Sequence, residues 1–146
     1  MERKVEVEPH SNRRAHAAIV PEAWADFYEA THIPAAVSLG GMVRVTGHTG
    51  ETADGVFSAE PEDQIRQVFR NIDLTLAEAA ATWSDVVEIT SYHVGLLNQA
   101  DALLRIAGEF LDDPYPAWTA VGVTELVVPE ALVEISCVAV VGGPMA

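Results

Sequence analysis

One carboxylate of this sequence occupies a position suited to acid–base catalysis. Glu134 lies in the middle of LVEISCVAV (132–140), a run with no other charged residue. Burial in such a strand raises the pKa of a carboxyl group, as a general acid or base working near neutral pH requires. The alternative is a half-exposed glutamate paired with a cation. Arg44, in the middle of another predicted strand, could be that cation or could bind an anionic ligand, and the sequence leaves both open.

Histidines are the second group that could transfer protons. His93 ends a predicted strand, where either proton transfer or an ordinary structural hydrogen bond would account for it. His48 ends another predicted strand and His32 precedes the strand before that one, so both are candidates for a pocket rim. The five histidines form no H-x-H or H-x-x-x-H pair, and no cysteine lies beside them. We therefore expect no metal and no cofactor.

The segment PYPAWTAVGVTE (114–125) places a large aromatic side chain where a strand begins. Trp118 could cover the end of a sheet as part of the core, or it could form one wall of a pocket. Cys137 is the only cysteine, so no disulfide forms within the chain, as is usual in a reducing cytoplasm. By alternation along its strand, Cys137 points away from Glu134 and is typical of a core residue.

The elements that must position these side chains follow from hydrophobic periodicity and turn residues. A short helix is predicted from Pro21 and a longer one from Pro61, and a loop covers residues 51–55. A last helix could be capped by Asn98 and ended by Pro114. The predicted strands span 35–39, 42–47, 86–94, 118–125 and 132–140. The order β-β-α-β-α-β-β predicts an α+β fold with one mixed sheet and two helices on one face.

The other face of that sheet needs a cover. In the last strand, one face carries Glu134 and Ser136 and the opposite face carries Ile135 and Cys137, and neither set is plainly suited to solvent. We therefore expect a homo-oligomer.

The charge balance restricts the partners. The chain has 146 residues and 8 Lys+Arg against 22 Asp+Glu, with adjacent basic pairs only at Arg3–Lys4 and Arg13–Arg14. A net charge of -14 disfavours nucleic acid as a partner. Because no apolar stretch reaches about 18 residues and the start lacks a secretory pattern, we expect no membrane contact and a cytoplasmic location. The length predicts one domain, residues 1–146.

Four segments resemble, in order, the RidA family of reactive intermediate deaminases, also called endoribonuclease L-PSP proteins. They are GGMVRVTGHTG, EDQIRQVFRNIDLTLAEAAATWSDVVEITSYHV, PYPAWTAVGV and ALVEISCVAV. The resemblance covers residues 33–141 and leaves residues 1–30 as an N-terminal extension. It implies a chorismate-mutase-like subunit and a homotrimer, in which the sheets form a central barrel and clefts lie between subunits. It also implies hydrolysis of enamines and imines, such as 2-aminoacrylate, to 2-oxo acids and ammonia.

The resemblance assigns roles to single residues. Glu134 falls on the family glutamate that positions or activates the attacking water, and Ser136 replaces a second glutamate of that strand. Trp118 stands where the family has an arginine that clamps the substrate carboxylate with two hydrogen bonds. Thr119 follows it, and Ala120 takes the place of a cysteine or another small residue. The remaining candidate substrate contacts are His48, which replaces a glutamine, His32 and Ile33, which lie nearest to a missing tyrosine, and His93 and Arg44.

Loss of the arginine implies a changed substrate, since a charged bidentate contact to a small anion is gone. We expect an enamine or imine hydrolase whose small-molecule substrate is larger or less acidic than 2-aminoacrylate. Two alternatives remain. One is a non-hydrolytic, chaperone-like binder of small molecules. The other is a tautomerase or deaminase of a catabolic or natural-product pathway.

Overall fold

The structure of the chain, a computed structural model, describes residues 15–142. The basic pairs Arg3–Lys4 and Arg13–Arg14, and the first part of the extension predicted for 1–30, lie outside the described residues. The strands are β1 Ala17–Ile19, β2 Ala36–Leu39, β3 Met42–Thr49, β4 Val86–His93, β5 Ala117–Gly122 and β6 Val133–Val140. The helices are α1 Ala25–Thr31, α2 Pro61–Glu78 and α3 Leu96–Ala107, with 3-10 turns at Glu22–Trp24 and Trp83–Asp85.

The strands form one six-stranded sheet in the order β1-β2-β3-β6-β4-β5. All neighbours are antiparallel except β4 and β5, which run parallel and are joined by α3. The predicted α+β fold with a mixed sheet is therefore confirmed. β1 was not predicted from the sequence, because three residues are too few to show a strand period.

Helix α2 forms where the sequence predicts it. Pro61 occupies the first turn, where its missing N–H breaks no helical hydrogen bond, and Glu62 and Asp63 face the positive end of the helix dipole. One stripe of α2 is completely buried against the sheet: Ile65, Val68, Phe69, Ile72 and Leu76. Each such side chain contributes about 1.5–3 kcal/mol to the free energy of folding.

The ends of α3 differ from the prediction. Asn98 does not cap the helix; the helix begins at Leu96, after Gly95. Gly95 has a φ of 84°, a left-handed conformation that lets a single residue turn the chain from β4 into the helix. The helix also ends at Ala107, well before Pro114, and its last turn closes on Gly108.

The two faces of the sheet have different surroundings. On β6, the side chains of Val133, Ile135, Cys137 and Ala139 are at most 3% exposed beneath the helices. Burial raises the pKa of the Cys137 thiol to about 12, as expected for a core cysteine. The opposite face, here called the open face, carries Glu134, Ser136 and Val138, which are only partly buried. Its exposed apolar side chains, each 39–49% accessible, are Leu39, Met42, Val121 and Val140.

The helices of the described part of the chain are amphipathic or short. None of them is both long and apolar enough to cross a membrane.

Candidate active site

A β-bulge in β3 shapes the site. Val45 pairs with Cys137 and His48 pairs with Ile135, so Thr46 and Gly47 together oppose Ser136. The extra residue shifts the alternation of side chains along β3 by one position. The side chain of His48 consequently points toward the helices, and Thr49 is brought to the open face.

Glu134 lies on the open face between β3 and β4. Its partners across the two strand pairs are Thr49 on β3 and Tyr92 on β4. The carboxylate extends over the bulge: a Cβ atom at Gly47 would lie 2.2 Å from Glu134 Oε1. Only glycine leaves this space free, so the bulge and its glycine together make the room in which the carboxylate sits.

The surroundings of Glu134 favour its protonated form. Partial burial raises the pKa of Glu134, and repulsion from the Glu51 carboxylate raises it further. The suggested pairing with Arg44 is wrong. Arg44 opposes Val138, four residues farther along β6 and roughly 13 Å away along the strand. The ion pairs within residues 15–142 are Arg66–Glu109 and Arg105–Glu62, both in the helical layer.

Glu51 is a site residue that sequence reasoning missed, because residues 51–55 were assigned to a loop. Thr49 Oγ1 donates a hydrogen bond to Glu51 Oε2 at 2.5 Å. The side-chain amide of Asn71 on α2 donates to the main-chain oxygens of both Thr49 and Glu51, each at 2.9 Å. The sequence signal for Glu51 was its spacing of two residues from Thr49 in GHTGE, which places both side chains on one face of the strand. That this face is the one that carries Glu134 becomes clear only once the bulge is known.

His48 belongs to the helical side of the sheet. Its Nδ1 lies 2.5 Å from the main-chain oxygen of Thr46, and its Nε2 lies 2.8 Å from Thr75 Oγ1 on α2. A carbonyl can only accept, so Nδ1 carries the proton and Nε2 accepts from the threonine hydroxyl. Burial lowers the pKa of His48, which keeps the ring neutral. The indole of Trp24 contacts this ring edge-on, with centroids 5.8 Å apart. His48 is therefore not brought together with Glu134.

His93 lies in a buried polar network on the same side. The ring is completely buried, and burial lowers its pKa. Gln99 uses its amide nitrogen to donate to the main-chain oxygens of Val94 and Leu132, so its oxygen faces His93 Nδ1 at 2.8 Å. Nδ1 must then donate, and His93 Nε2 accepts from the Ser91 hydroxyl at 2.8 Å. This geometry agrees with the second interpretation of His93, an ordinary structural hydrogen bond.

Trp118 extends this network. Its indole Nε1–H donates to Ser91 Oγ at 2.9 Å, and its ring lies 6.3 Å from that of Phe69 on α2. The indole therefore packs against the core on the helical side of the sheet, whereas Glu134 lies on the open face. Within one chain, the structure does not bring Trp118 and Glu134 together.

The other candidates divide between the two faces. Thr119 pairs with Thr90, which in turn pairs with Ser136. Thr119 therefore lies on the open face, in the cross-strand row next to that of Glu134. Ala120 pairs with Ser91 and faces the helical side. A small depression on the open face is lined by Arg44, Val45, Glu88, Thr90, Ser136, Cys137 and Val138, and does not include Glu134.

His32 and Ile33 lie beside the bulge. The next residue, Pro34, accepts a hydrogen bond from Thr46 Oγ1 at 2.7 Å, which ties this segment to the bulged part of β3. His32 is exposed and has a left-handed backbone with a φ of 60°. Ile33 is 45% exposed. Both residues thus border the end of β3 that supports Glu134. In residues 15–142, no three His, Cys, Asp or Glu side chains cluster as metal ligands.

Comparison with known proteins agrees with this fold. The family model described as endoribonuclease L-PSP matches residues 21–141. The RutC family protein YjgH of Escherichia coli K12 is 36% identical over 110 residues, which are 75% of this chain and 84% of that protein. A solved structure of protein YjgH superposes with a TM-score of 0.80 at 32% identity, covering 90% of this chain and all of the other.

A deaminase is among the curated relatives. The 2-iminobutanoate/2-iminopropanoate deaminase of Dermatophagoides farinae is 28% identical over 123 residues, which are 84% of this chain and 91% of that protein. The family therefore includes imine deaminases. The match over residues 21–141, together with the YjgH relative, shows that this chain belongs to the endoribonuclease L-PSP family, the family of the RidA proteins that its segments resemble.

Proposed function

We propose that this chain is an enamine or imine deaminase whose substrate is larger or less acidic than 2-aminoacrylate. The observation that carries the proposal is the Glu134 carboxyl, which is partly buried on the open face with a raised pKa. A carboxyl group with a raised pKa keeps its proton to higher pH than an ordinary glutamate, so it can serve as a general acid as well as a base. Membership of a family that includes an imine deaminase supplies the reaction class.

The reaction needs one group that exchanges protons. Glu134 in its acid form protonates the imine nitrogen, or the β-carbon of the enamine tautomer. The resulting carboxylate removes a proton from water as the water oxygen bonds to the imine carbon, which gives a carbinolamine. Glu134 then protonates the amine nitrogen, the C–N bond breaks and ammonia leaves. The hydroxyl proton returns to Glu134 as the carbonyl forms, so the products are a carbonyl compound and ammonia.

The charges around Glu134 support a less acidic substrate. In residues 15–142 the cations are Arg44, Arg66, Arg70 and Arg105. Arg66 and Arg105 pair with carboxylates of the helical layer, Arg70 also lies on α2, and Arg44 lies two rows away from Glu134. Within one chain, the charged group that shifts the pKa of Glu134 is therefore Glu51, a second carboxylate. An anionic substrate would be repelled here, whereas a neutral or protonated imine would not.

The exposed side chains of the open face support self-association, and for its form we propose the homotrimer that the family resemblance implies. Leu39, Met42 and Val140 lie in one cross-strand row and are 41–49% exposed, an arrangement that a second copy could bury. In the proposed assembly the sheets of three chains form a barrel, and Glu134 faces a cleft between subunits. The assembled mass in solution, measured by light scattering, tests this arrangement.

Hydrolysis of imines made in place by an amino-acid oxidase tests the proposed activity. Semicarbazide traps the imine that remains, and small and bulky aromatic amino acids are compared. Faster loss of bulky imines, abolished in Glu134→Gln and retained in Glu88→Gln, is the expected result. Glu88 is the matched control, because it lies on the open face opposite Val138, away from Glu134. If the protein speeds the loss of no imine, and small molecules still bind to Glu134→Gln, the chain is a non-hydrolytic binder of small molecules instead.

A further inference from the structure

A second carboxylate is tied to the strand partner of Glu134. Thr49 is the strand partner of Glu134, and its hydroxyl donates to Glu51 Oε2 at 2.5 Å. The hydroxyl thus ties Glu51 to the residue directly across from Glu134. Glu51 itself is partly buried.

Helix α2 fixes the backbone that carries Glu51. The Asn71 amide, 3% exposed, donates to the main-chain oxygens of Thr49 and Glu51, each at 2.9 Å. Gly50 lies directly on the helix, since a Cβ there would be 2.5 Å from the Gln64 main-chain oxygen. Glu51 also forms a bridge with Phe57. These contacts fix the backbone at Glu51, and the Thr49 hydroxyl then holds its carboxylate.

The strands on both sides of Glu134 define its electrostatic surroundings. β3 contributes Thr49 and, beyond it, the Glu51 carboxylate, and β4 contributes the phenol of Tyr92. Glu51 is the charged group whose repulsion adds to the effect of burial on the pKa of Glu134. Repulsion by the Glu51 carboxylate disfavours the ionised form of Glu134, so it acts in the same direction as burial.

We propose that Glu51 is a positioning residue for the deamination: Thr49, the strand partner of Glu134, and Asn71 hold its carboxylate where it favours the acid form of Glu134, so that Glu134 begins each turnover as a proton donor. This inference rests on the proposed function and adds the order of its steps. Protonation of the enamine carbon or imine nitrogen comes first, and water activation by the resulting Glu134 carboxylate follows.

The test follows the titration of Glu134 in the intact protein, by NMR of the glutamate side-chain carboxyl carbons. The signal that disappears in Glu134→Gln identifies the residue. Glu51→Gln removes the repulsion and is expected to lower the pH at which Glu134 titrates, whereas Glu88→Gln should leave it unchanged. An unchanged titration in Glu51→Gln overturns the inference. This readout does not require activity, so it separates the inference from the proposed function.

The pH dependence of imine hydrolysis gives the functional readout. In Glu51→Gln, the alkaline limb of kcat/KM should move to lower pH, with a several-fold loss of kcat on that limb and little change in KM. If Glu51→Gln fails to fold, Thr49→Val serves instead, because it removes the hydroxyl that ties Glu51 and should move the limb in the same direction. Thr49→Ser, which keeps the hydroxyl, should restore the wild-type limb. An unmoved limb in a folded Glu51→Gln or Thr49→Val overturns the inference.

Discussion

The carboxylate of Glu134 occupies the space that a side chain at Gly47 would fill, since a Cβ there would lie 2.2 Å from Glu134 Oε1. The two residues belong to neighbouring strands, and the bulge at Thr46–Gly47 brings them into contact. The position of the proposed acid–base group thus depends on a glycine of another strand.

Replacement of Gly47 by alanine should therefore displace the carboxylate while the fold is retained, because the clashing atoms are the flexible end of the Glu134 side chain. We expect kcat/KM to fall by roughly 10- to 100-fold, as a displacement of about 1 Å at a reacting group does. Steady-state kinetics and thermal unfolding would be measured together. Gly122→Ala is the control, because its Cβ would meet only Leu96 at 3.7 Å. Full activity of Gly47→Ala would show that Glu134 need not hold this position.

Glu134→Gln should be more stable than the wild type at neutral pH, although we expect it to be inactive. The pKa of Glu134 is raised in the folded chain, so the wild type loses stability as pH rises from the ordinary value of 4.5 through the folded value. Glutamine does not ionise and avoids this loss, which amounts to about 1 kcal/mol or less for a partly solvated group.

Urea unfolding at several pH values checks this prediction. The stability of Glu134→Gln and the wild type should converge below pH 4.5 and separate above it. A variant less stable than the wild type at neutral pH would show that the charged form of Glu134 makes a favourable contact.

In His48→Gln, the free energy of unfolding should fall less as the pH is lowered than it does in the wild type. The pKa values of His48 and His93 lie below the ordinary 6.5 in the folded chain. The unfolded chain therefore takes up protons first, and stability that is complete above pH 6.5 is lost as pH falls toward the folded values. Glutamine can donate to Thr46 and accept from Thr75 without titrating. Unfolding free energies at pH 7.5 and 5.5 should differ less in the variant, and an equal difference would mean that His48 does not contribute.

Trp118→Phe distinguishes the two roles considered for this indole. We expect the free energy of unfolding to fall by about 1 kcal/mol, because the hydrogen bond to Ser91 is removed while the packing on Phe69 is largely kept. KM values for small and bulky imines should stay the same. A change in KM for bulky imines, with little change in stability, would show that Trp118 lines the cleft in the assembled protein.

Much of the fold could be predicted from the sequence because alternation and helical period are local signals. The alternation in 132–140 separated Glu134 from Cys137, and the apolar period placed α2 on the sheet. The bulge was not predicted, because the predicted strand ended at residue 47, whereas β3 bulges there and continues to Thr49. His48 was consequently expected at a pocket rim, although it faces α2.

The candidate site was only partly predictable for the same reason. Glu134 stood out as a single charge in an apolar strand, a feature visible without any knowledge of its neighbours. Glu51 became visible only through the contacts of Thr49 and Asn71, which are distant in sequence. The side on which Trp118 packs depended on the register between β4 and β5, and that register is a tertiary property.

The most direct test of the account compares two imines that differ by one carboxylate. An amino-acid oxidase makes 2-imino-3-phenylpropanoate from phenylalanine, and a flavin-dependent amine oxidase makes the corresponding imine from phenethylamine. The protein should accelerate hydrolysis of the imine without the carboxylate more strongly, and Glu134→Gln should abolish both effects. Faster hydrolysis of the carboxylate-bearing imine, or undiminished activity in Glu134→Gln, would contradict the account.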